Sequence, residues 1–349
     1  MDKHLIRQEA SILDALERLN SLSGQVMTLL VTDGNGVMTG TLTDGDVRRA
    51  LLRGVPMEAP VTEAMHREFC RLLENDVDVD ALRDMRKRGI RLIPLLDEEG
   101  RVKRVIDTRR TKTILPVSAI LMAGGKGERL RPMTLTTPKP LLKIGDKAII
   151  DYNIEALAGV GVEDVSVTVN YMAEQLEEHF SKPVGGVNVK CVRETKPLGT
   201  IGSASLVKLP AEGCTIVMNS DLLTTVSFED MYLWHQSCEA DITIAAVSYN
   251  VSVPYAILST DGTDVMALEE KPSYSYYANA GIYIFSNELL RSLSPEERVD
   301  ATDLIENAIA SGRRVTFFPI NGTWIDIGSP ADFKHAQELM RHVRLTIDG

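Results

Sequence analysis

The first third of the chain contains one short pattern twice, and this repeat constrains the fold more than any other feature of the sequence. One copy runs from Asp14-Ala15-Leu16 through LLVTD to Asp33, Gly36 and Thr41-Leu42-Thr43, and the other from Asp80-Ala81-Leu82 through LIPLLD to Asp97, Gly100 and Val105-Ile106-Asp107. In both copies the glycine follows the aspartate by three residues and precedes the last apolar strand residue by six. This pattern predicts a helix, a strand, a tight turn at the glycine, a second strand and a further helix. One such unit cannot bury its sheet face alone, so we expect the two copies to pack together.

The repeat resembles a pair of cystathionine-β-synthase (CBS) domains over about residues 1–113, and GVMTGTLTDGDVRRAL is similar to the second strand and following helix of that family. The resemblance implies a smaller α+β domain that regulates the protein or makes it a homo-oligomer. It also implies an adenine nucleotide whose ribose is held at Thr43 and Asp46. Asp107 and Arg110 occupy the matching places of the second copy, so at most one nucleotide site is intact. The alternative is that Asp46 only caps or starts a helix.

After a polar, basic stretch that ends in Pro116 and predicts a linker, short apolar runs alternate with helix-like segments. VSAILM (117–122) is a continuous apolar run, as a buried parallel strand would be. Five similar runs follow at residues 165–169, 214–218, 241–247, 280–285 and 315–320, and segments such as IIDYNIEAL and MAEQLEEHF separate the earlier ones. The alternation predicts a doubly wound α/β domain over residues 117–349.

LMAGGKGERLRP (121–132) follows the first of these strands directly. Its glycines allow a tight turn close to a phosphate, and N–H groups at a helix start suit an anion. It is not a P-loop, because Gly125-Lys126 is followed by Gly127 rather than by Ser or Thr. It is not a dinucleotide fingerprint either, because Leu130 stands where the third glycine is needed.

Together, GGxGxRL and the following PKPLL, which contains Lys139, closely resemble the signature of sugar-1-phosphate nucleotidyltransferases. Four further segments match that family in the expected order, up to about residue 333. They are Glu194 with Pro197-Leu198-Gly199-Thr200, then Asn219-Ser220-Asp221, then Glu270-Lys271-Pro272 with Asn279-Ala280-Gly281, and Trp324-Ile325-Asp326-Ile327-Gly328. The resemblance implies a Rossmann-like domain of the GT-A type that joins a nucleoside triphosphate to a sugar-1-phosphate and releases pyrophosphate.

The resemblance also implies a role for each matching residue. The attacking sugar phosphate oxygen is already an anion at neutral pH, so positioning and charge neutralisation do most of the catalysis. Arg129 would hold the β- and γ-phosphates, Lys139 would neutralise charge at the α-phosphate, and Lys271 would bind the sugar phosphate. Asp221 and Asp326 would hold Mg²⁺. The other residues expected at the site are Leu121, Ala123, Gly124, Gly125, Gly127, Glu194, Gly199 and Thr200 for the nucleotide, and Glu270, Asn279 and Gly281 for the sugar phosphate.

Each of these residues has a plainer explanation when it is taken alone. An arginine after a glycine turn is commonly a solvated surface residue, and a lysine before a proline can be an ordinary loop residue. An aspartate at the end of a strand often forms a turn or caps a helix. The ordered set of five matching segments, rather than any single residue, favours the catalytic interpretation.

Glu194 bears on the nucleobase, because it lies five residues before Gly199, where enzymes of this family that use UTP or dTTP tend to carry glutamine. Guanine presents two neighbouring donors, N1–H and the 2-amino group, and a carboxylate, which only accepts, complements them. Glu194 therefore predicts GTP as the donor. The alternative is that Glu194 points to solvent or pairs with Arg193 or Lys196.

A CBS pair ahead of a guanine-type loop resembles the guanylyltransferases that act on glucosamine-1-phosphate in legionaminic acid biosynthesis. Mannose-1-phosphate and heptose-1-phosphate guanylyltransferases, enzymes that use UTP or dTTP, and cytidylyltransferases remain open. A non-enzymatic alternative is a nucleotide-binding regulatory protein with a vestigial transferase domain, although the charged residues expected at the site are all present.

Composition sets the remaining limits. The net charge of −11 argues against nucleic-acid binding, whereas five basic residues against one acid in residues 126–143 favour a small anion. No stretch approaches the roughly 20 apolar residues of a membrane helix, and the amino terminus lacks the apolar core of a signal peptide. The four cysteines are scattered without metal-like spacing. We therefore expect a cytoplasmic enzyme with reduced thiols.

Overall fold

The computed structural model describes residues 2–295 and 297–347, without the side chains of residues 342–347. The chain forms two compact units. The amino-terminal unit comprises the residues up to Leu115 together with Gly159–Gly161, and the carboxy-terminal unit comprises Pro116–Ala158 and the residues from Val162 onward. In the part of the chain that the structure describes, no helix is both long and apolar enough to span a bilayer.

The amino-terminal unit contains the predicted repeat. The first copy consists of β1 (Leu5–Arg7), α1 (Ile12–Ser21), β2 (Thr28–Thr32), β3 (Met38–Thr43) and α2 (Asp44–Leu52), and the second of β4 (Leu72–Leu73), α3 (Val79–Lys87), β5 (Leu92–Leu96) and β6 (Val102–Asp107). Each copy forms a three-stranded sheet, in the orders β1-β2-β3 and β4-β5-β6. The first strand of each sheet is parallel to the second, and the third is antiparallel to it. The two copies therefore share one topology.

The turn between the last two strands is built in the same way in both copies. The carboxylate of Asp33 accepts the Val37 N–H at 2.9 Å, and that of Asp97 accepts the Arg101 N–H at 2.7 Å. Gly36 and Gly100 have φ near +83° and +82°, a backbone region that favours glycine. The two turns also meet, because the Met38 N–H donates to the Gly100 carbonyl at 2.9 Å. The expected packing of one copy on the other is confirmed.

The helix predicted after the second copy does not form, and residues 108–110 are a turn. In the first copy Thr43 and Asp46 make a capping box, in which the Thr43 N–H donates to Asp46 Oδ2 at 2.9 Å and the Asp46 N–H donates to Thr43 Oγ1 at 3.3 Å. In the second copy Arg110 replaces Asp46, so no carboxylate can return the bond. Asp107 instead accepts the Arg109 N–H at 3.0 Å. The capping alternative for Asp46 is thus the geometry that the structure shows.

The carboxy-terminal unit alternates strands and helices as predicted. Its elements are β7 (Val117–Ala123), β8 (Lys143–Ile144), β9 (Lys147–Ala148), α4 (Ile149–Gly159), β10 (Val165–Val169), α5 (Ala173–His179), β11 (Val189–Arg193), β12 (Cys214–Asn219), β13 (Leu222–Thr224), α6 (Phe228–Ser237), β14 (Ile242–Ser252), β15 (Ile257–Asp261), β16 (Asp264–Glu269), β17 (Ser273–Ser286), α7 (Asn287–Arg291), α8 (Ala301–Ala310), β18 (Val315–Pro319), β19 (Trp324–Asp326) and α9 (Pro330–Ile347). All six apolar runs fall in strands, which confirms the α/β class.

The main sheet of this unit has seven strands in the order β11-β10-β7-β12-β17-β14-β18. Only β17 is antiparallel to its neighbours among these strands. β7 lies between β10, which follows it in the chain, and the later β12, so the connections diverge between β7 and β12. In such sheets ligands bind beyond the carboxyl ends of the strands at this switch point. The glycine loop follows β7 and Asp221 follows β12, so both lie there.

β14 and β17 continue beyond the sheet as a two-stranded ribbon, and the β15–β16 hairpin connects them. We call residues 247–278 the arm. Most of its side chains are exposed, in contrast to the buried central strands of the sheet.

Candidate active site

A cleft of about 640 Å³ opens at the carboxyl ends of β7 and β12. It brings together residues from five separate segments of the chain that the sequence motifs singled out. The expected site residues that line it are Ala123, Gly124, Gly125, Gly127, Arg129, Lys139, Glu194, Gly199, Thr200 and Asp221.

The glycines of the loop after β7 are needed for two different reasons. A side chain at Gly124 would place its Cβ 2.8 Å from Glu194 Oε1, closer than real contacts allow. Gly127 has a φ of +59°, and its Cβ would lie 3.1 Å from that of Lys139. Gly125, by contrast, has no heavy atom within 4 Å of its Cβ position, so this part of the loop faces open space. The loop therefore packs against Glu194 at Gly124 and against Lys139 at Gly127, and its middle at Gly125 is open to a ligand.

Arg129 is exposed and lies against another glycine of the predicted set. The Cβ of any residue at position 328 would lie 3.2 Å from Arg129 Nη2, so Gly328 allows the guanidinium to lie over the chain just after Asp326. The loop after β7 and the segment after β19 thus meet at the cleft, although some 200 residues separate them in the chain.

Lys139 lies between the two predicted carboxylates. Its Nζ donates to Asp221 Oδ2 and lies 3.9 Å from Asp326 Oδ1. The acids meet because β13 pairs antiparallel with β19, which places Asp326 opposite Leu222, the residue after Asp221. The Ile327 N–H donates to the Asp221 carbonyl at 3.2 Å and fixes this register. Three charged groups from three distant segments therefore converge.

The two carboxylates fit a divalent cation that takes most of its other ligands from a substrate. Burial and then the charge of Asp221 raise the pKa of Asp326, while the charges of Lys139 and Arg129 oppose this shift. The repulsion between the acids is what a cation would relieve. Among the described residues, no group of three His, Cys, Asp or Glu side chains could hold a metal ion. Two carboxylates completed by phosphate oxygens and water suit Mg²⁺ rather than a structural metal.

Glu194 is buried in the wall of the cleft, with 8% of its surface exposed. Burial raises the pKa of Glu194, and hydrogen bonds from the Leu198 N–H and from Ser203 oppose this shift. Its neighbour Arg193 pairs with Glu177 at 2.8 Å and with Glu174 at 3.0 Å. The alternatives in which Glu194 points to solvent or pairs with Arg193 are wrong.

Sequence reasoning missed Asp300, which holds the loop that contains Gly199 and Thr200. The Thr200 N–H donates to Asp300 Oδ1 at 3.0 Å, and the Ala301 N–H donates to Thr200 Oγ1 at 2.8 Å. Gly199 has a φ of +85°, and its Cβ would lie 2.3 Å from the Val299 carbonyl oxygen. An acid three residues before another acid at the start of α8 resembles a helix cap, and nothing in the local sequence links it to a loop 100 residues earlier.

The structure does not bring every expected residue to the cleft. Glu270 and Lys271 are exposed on the arm, and neither is among the described residues that line the cleft. Lys271 has a φ of +47°, in the left-handed region that residues other than glycine rarely adopt.

Four further expected residues lie outside the cleft lining: Asp326, which lies close to Lys139, and Leu121, Asn279 and Gly281, which belong to β7 and β17. Leu121 is fully buried within β7. Gly281 lies in β17 against Asn219, a cleft residue, and a Cβ at Gly281 would be 2.4 Å from Asn219 Nδ2. Asn279 Oδ1 accepts the Gly281 N–H at 2.9 Å. Gly281 therefore lies next to a residue of the cleft lining, and Asn279 bonds its backbone.

In the amino-terminal unit a second cavity, of about 560 Å³, is lined by Thr43 together with His66, Arg88 and Arg91. Asp46 does not line it. The Asp46 carboxylate is occupied by Thr43, whose hydroxyl donates to Oδ2 at 2.6 Å, and by Arg49. Of the two residues expected to hold an adenine nucleotide, only Thr43 faces the cavity.

Comparisons with known proteins agree with this geometry. The nucleotidyl transferase family model matches residues 118–342, and the CBS domain model matches residues 3–53, which is the first copy of the repeat. The mannose-1-phosphate guanylyltransferase catalytic subunit beta of Dictyostelium discoideum is 32% identical over 227 residues, covering 62% of this chain and 62% of the relative. The mannose-1-phosphate guanyltransferase of Saccharomyces cerevisiae is also 32% identical, over 238 residues, with 62% and 63% covered. The chain thus spans about three fifths of the length of these curated relatives.

The crystal structure of HddC from Yersinia pseudotuberculosis has the same fold, with a TM-score of 0.51 and 24% identity over 64% of this chain and 99% of that one. The fold class predicted from the sequence is confirmed. The family model covers well over half of the chain and includes every residue that lines the cleft. This chain therefore belongs to the nucleotidyl transferase family.

Proposed function

We propose that this chain is a sugar-1-phosphate guanylyltransferase. In the reaction a phosphate oxygen of the sugar-1-phosphate forms a bond to the α-phosphorus of GTP. The bond from that phosphorus to the bridging oxygen breaks, and pyrophosphate leaves with the electron pair. The observation that carries the proposal is the position of Lys139 between Asp221 and Asp326, beside the open glycine loop.

The residues of the chain divide the work by position. The backbone of the glycine loop receives the triphosphate, and Arg129 neutralises its outer phosphates. Lys139, which is largely buried, neutralises charge at the α-phosphate, where a fixed and partly desolvated cation has a larger effect than a cation in water. Lys271 would bind the sugar phosphate and Glu270 the sugar hydroxyls, with Asn279 and Gly281 lining that pocket, and both roles require the arm to bring Glu270 and Lys271 to the cleft, outside which they lie in this structure. No general base is required.

Asp221 and Asp326 would hold Mg²⁺. A bound cation would supply charge neutralisation on the phosphate oxygens and help to align the two reacting groups. The charge of Asp221 helps to raise the pKa of Asp326, and Lys139 opposes this shift. Two neighbouring acids with one lysine leave a net negative charge that a bound cation would balance.

GTP is the donor that the position of Glu194 favours. Its carboxylate is fixed in the cleft wall, and the charged form accepts two hydrogen bonds in the way that guanine N1–H and 2-amino groups require. Burial disfavours the charged form of Glu194. Two hydrogen bonds from a bound guanine would stabilise this carboxylate and offset the effect of burial.

Mannose-1-phosphate is the acceptor that the curated relatives favour over the glucosamine-1-phosphate expected from domain order. Both relatives named above are mannose-1-phosphate enzymes. Glucosamine-1-phosphate stays as the second candidate, because a CBS domain at residues 3–53 precedes the catalytic part. The relatives are 32% identical to this chain over 62% of its length, so the choice between the two acceptors is left to the assay below.

Pyrophosphate release tests the proposal over a matrix of GTP, UTP, CTP and ATP against mannose-, glucosamine-, heptose- and glucose-1-phosphate, with phosphocholine added for CTP. We expect GTP with mannose-1-phosphate to react fastest. In Glu194→Gln the preference for GTP over UTP should fall by about 10- to 100-fold, because one guanine donor loses its acceptor. Glu163→Gln, a change in an acid outside the cleft, is the matched control. Release with no pair would indicate a vestigial domain, and unchanged base preference would discard the role of Glu194.

For the amino-terminal part we propose that residues 1–113 form a regulatory CBS pair that binds an adenine nucleotide in the cavity lined by Thr43, ahead of a catalytic domain at 117–349. Arg88 and Arg91 offer positive charge to a phosphate there. Calorimetric titration of the full chain with AMP and ATP tests this. The absence of a saturable heat of binding with both nucleotides would contradict it. We also propose that the protein is cytoplasmic and forms a homo-oligomer.

A further inference from the structure

The composition of the arm differs from that of the rest of the chain. Five of the nine tyrosines fall within residues 247–278. The same 32 residues include no arginine and only five charged side chains, although a quarter of the whole chain is charged. Enrichment in tyrosine with depletion of charge is typical of the centre of a protein–protein interface.

Neighbouring strands leave the arm before it ends. β18 pairs with β14 only as far as Ala246, and β12 pairs with β17 only from Ile282 onward. From Val247 to Ser252 and from Ser273 to Ala278, the two strands pair with each other alone among the described residues. An isolated two-stranded ribbon is marginally stable in water. The arm therefore has free hydrogen-bonding edges and no core of its own.

The pairing register separates the arm into an apolar and a polar face. Residues directly opposite one another lie on the same face of an antiparallel pair. Tyr249 opposes Tyr276 and Val251 opposes Tyr274, so these four side chains share one face. Tyr249 and Tyr276 are 62% and 58% exposed. A strand with one apolar face normally buries that face, and here no described part of the chain does so.

The opposite face of the ribbon is satisfied within the chain. The Ser275 hydroxyl donates to Asn250 Oδ1 at 2.6 Å, and Ser252 and Ser273 share a hydrogen bond of 3.2 Å. Tyr277 on this face contacts Phe317, with ring centroids 4.6 Å apart. On the apolar face the Tyr274 hydroxyl donates to Glu269 Oε2 at 3.3 Å, while Tyr249 and Tyr276 remain more than half exposed.

The exposed apolar area is large enough for a stable contact. Tyr277 lies on the opposite face against Phe317. Apart from it, seven large apolar side chains of the arm are more than half exposed: Tyr249, Tyr255, Leu258, Val265, Met266, Leu268 and Tyr276. With roughly 100 Å² exposed on each, they present about 700 Å², close to the area of about 800 Å² that one partner buries in a standard interface. The largest apolar patch of a typical monomer is about 300–600 Å².

We propose that the arm is an interface with a second copy of this chain, in which the Tyr249–Tyr276 faces of two arms pack against each other across a twofold axis. A twofold contact needs one self-complementary surface. The four side chains of the apolar face are uncharged, and the charges of the arm lie at the hairpin tip and at Glu269–Lys271, where Glu269 meets the edge of that face through Tyr274. The acids at both places disfavour nucleic acid and anionic lipid as partners.

The same contact would order part of the proposed active site, and this consequence rests on the proposed function. Glu270 and Lys271 connect β16 to β17 within the arm. Lys271 holds a left-handed backbone conformation that costs free energy unless its surroundings fix it. Contact with the partner's arm would fix the backbone conformation of Lys271, whereas an arm without that contact would leave Lys271 free to move.

Sedimentation over a range of concentrations tests the interface on the full chain, without reference to activity. In Tyr249→Ser/Tyr276→Ser we expect the dimer dissociation constant to rise by about 100-fold or more. Trp234→Ser is the matched control, because Trp234 is another aromatic side chain that is 43% exposed but lies on α6, outside the arm. A monomeric wild-type protein, or a dimer that the double substitution leaves unchanged, would overturn the proposal.

A second measurement keeps the proposal falsifiable if the double variant folds poorly. A cysteine at a residue close to the twofold axis can be cross-linked to its own equivalent by a short bis-maleimide. We expect Tyr249→Cys to give a covalent dimer and Ser248→Cys, on the opposite face, to give no more than the background of the native cysteines. Equal cross-linking of both variants would contradict the assigned face. Loss of the dimer with unchanged KM values for both substrates would retain the interface and reject its link to Lys271.

Discussion

The two sides of the proposed active site are built in contrasting ways. On the nucleotide side, Lys139 has 12% of its side chain exposed and lies at the ends of buried strands, between two acids. On the sugar-phosphate side, Lys271 is exposed on the arm, outside the cleft. Both lysines belong to equally recognisable motifs, so the motifs alone do not reveal this difference. The fold makes one side rigid in the monomer and leaves the other to depend on further contacts.

Three close packings explain the rigidity of the nucleotide side. Gly124 lies against Glu194, Gly127 against Lys139 and Gly328 against Arg129. A side chain would collide with Glu194 at position 124, would be strained by the φ of +59° at position 127, and would lie in tight contact with Arg129 at position 328. The arm has no equivalent, because its side chains face solvent. Substitutions on the two sides should therefore fail in different ways.

The largest effect is expected from Asp221→Asn, on the rigid side. This substitution removes a charge from the pair that would hold Mg²⁺ and changes the partner of Lys139, so we expect kcat to fall by about 10³-fold with the fold retained. Turnover together with Mn²⁺ binding in the presence of GTP, followed by electron paramagnetic resonance, measures both consequences. Asp76→Asn, at an exposed acid of the amino-terminal unit, should change neither. Normal Mn²⁺ affinity in the variant would show that Asp221 is not a metal ligand.

A smaller and more selective effect is expected from Lys271→Ala, on the arm. The KM for the sugar phosphate should rise by about 10- to 100-fold because a charge-assisted contact is lost, while the KM for GTP stays unchanged. Steady-state kinetics with each substrate varied in turn separates the two. Lys182→Ala removes another exposed lysine and serves as the control. A parallel rise in both KM values would remove the distinction between the two sides.

The smallest effect is expected from Asp300→Ala, which loosens the rigid side without replacing Lys139, Asp221 or Asp326. The Thr200 N–H loses its acceptor, so the loop before it should move and the KM for GTP should rise by about 3- to 10-fold. Asp300→Asn keeps an acceptor oxygen at the same place and should restore most of the affinity. If the asparagine variant behaves like the alanine variant, the carboxylate charge rather than the positioning bond is what matters.

Local patterns in the sequence were enough to predict the strands of the main sheet, the turn glycines of the repeat and the segments that build the cleft. These features depend on neighbouring residues, as in the apolar run before the glycine loop or the aspartate three residues before Gly36 and Gly100. The absence of the last helix in the second copy could also have been predicted from the sequence, because Arg110 cannot complete a capping box.

Other features depended on contacts that the sequence does not display. The bond from Thr200 to Asp300 joins residues 100 positions apart, and no periodicity marks it. The extension of β14 and β17 into the arm was missed for a different reason. A search for continuous apolar runs finds buried strands, whereas SYSYY alternates with a period of two and indicates a strand with one apolar face. The exposed placement of Lys271 follows from that extension.

The position of Lys139 has a thermodynamic consequence for the order in which the site fills. Its ammonium is already engaged by two acids, so a triphosphate that attracts it leaves Asp221 and Asp326 facing each other with less compensation. Their affinity for a cation rises at the moment when the nucleotide enters. By linkage the cation must raise the affinity for the nucleotide by the same factor, so the two should bind with positive cooperativity through the exchange of one side chain's partners.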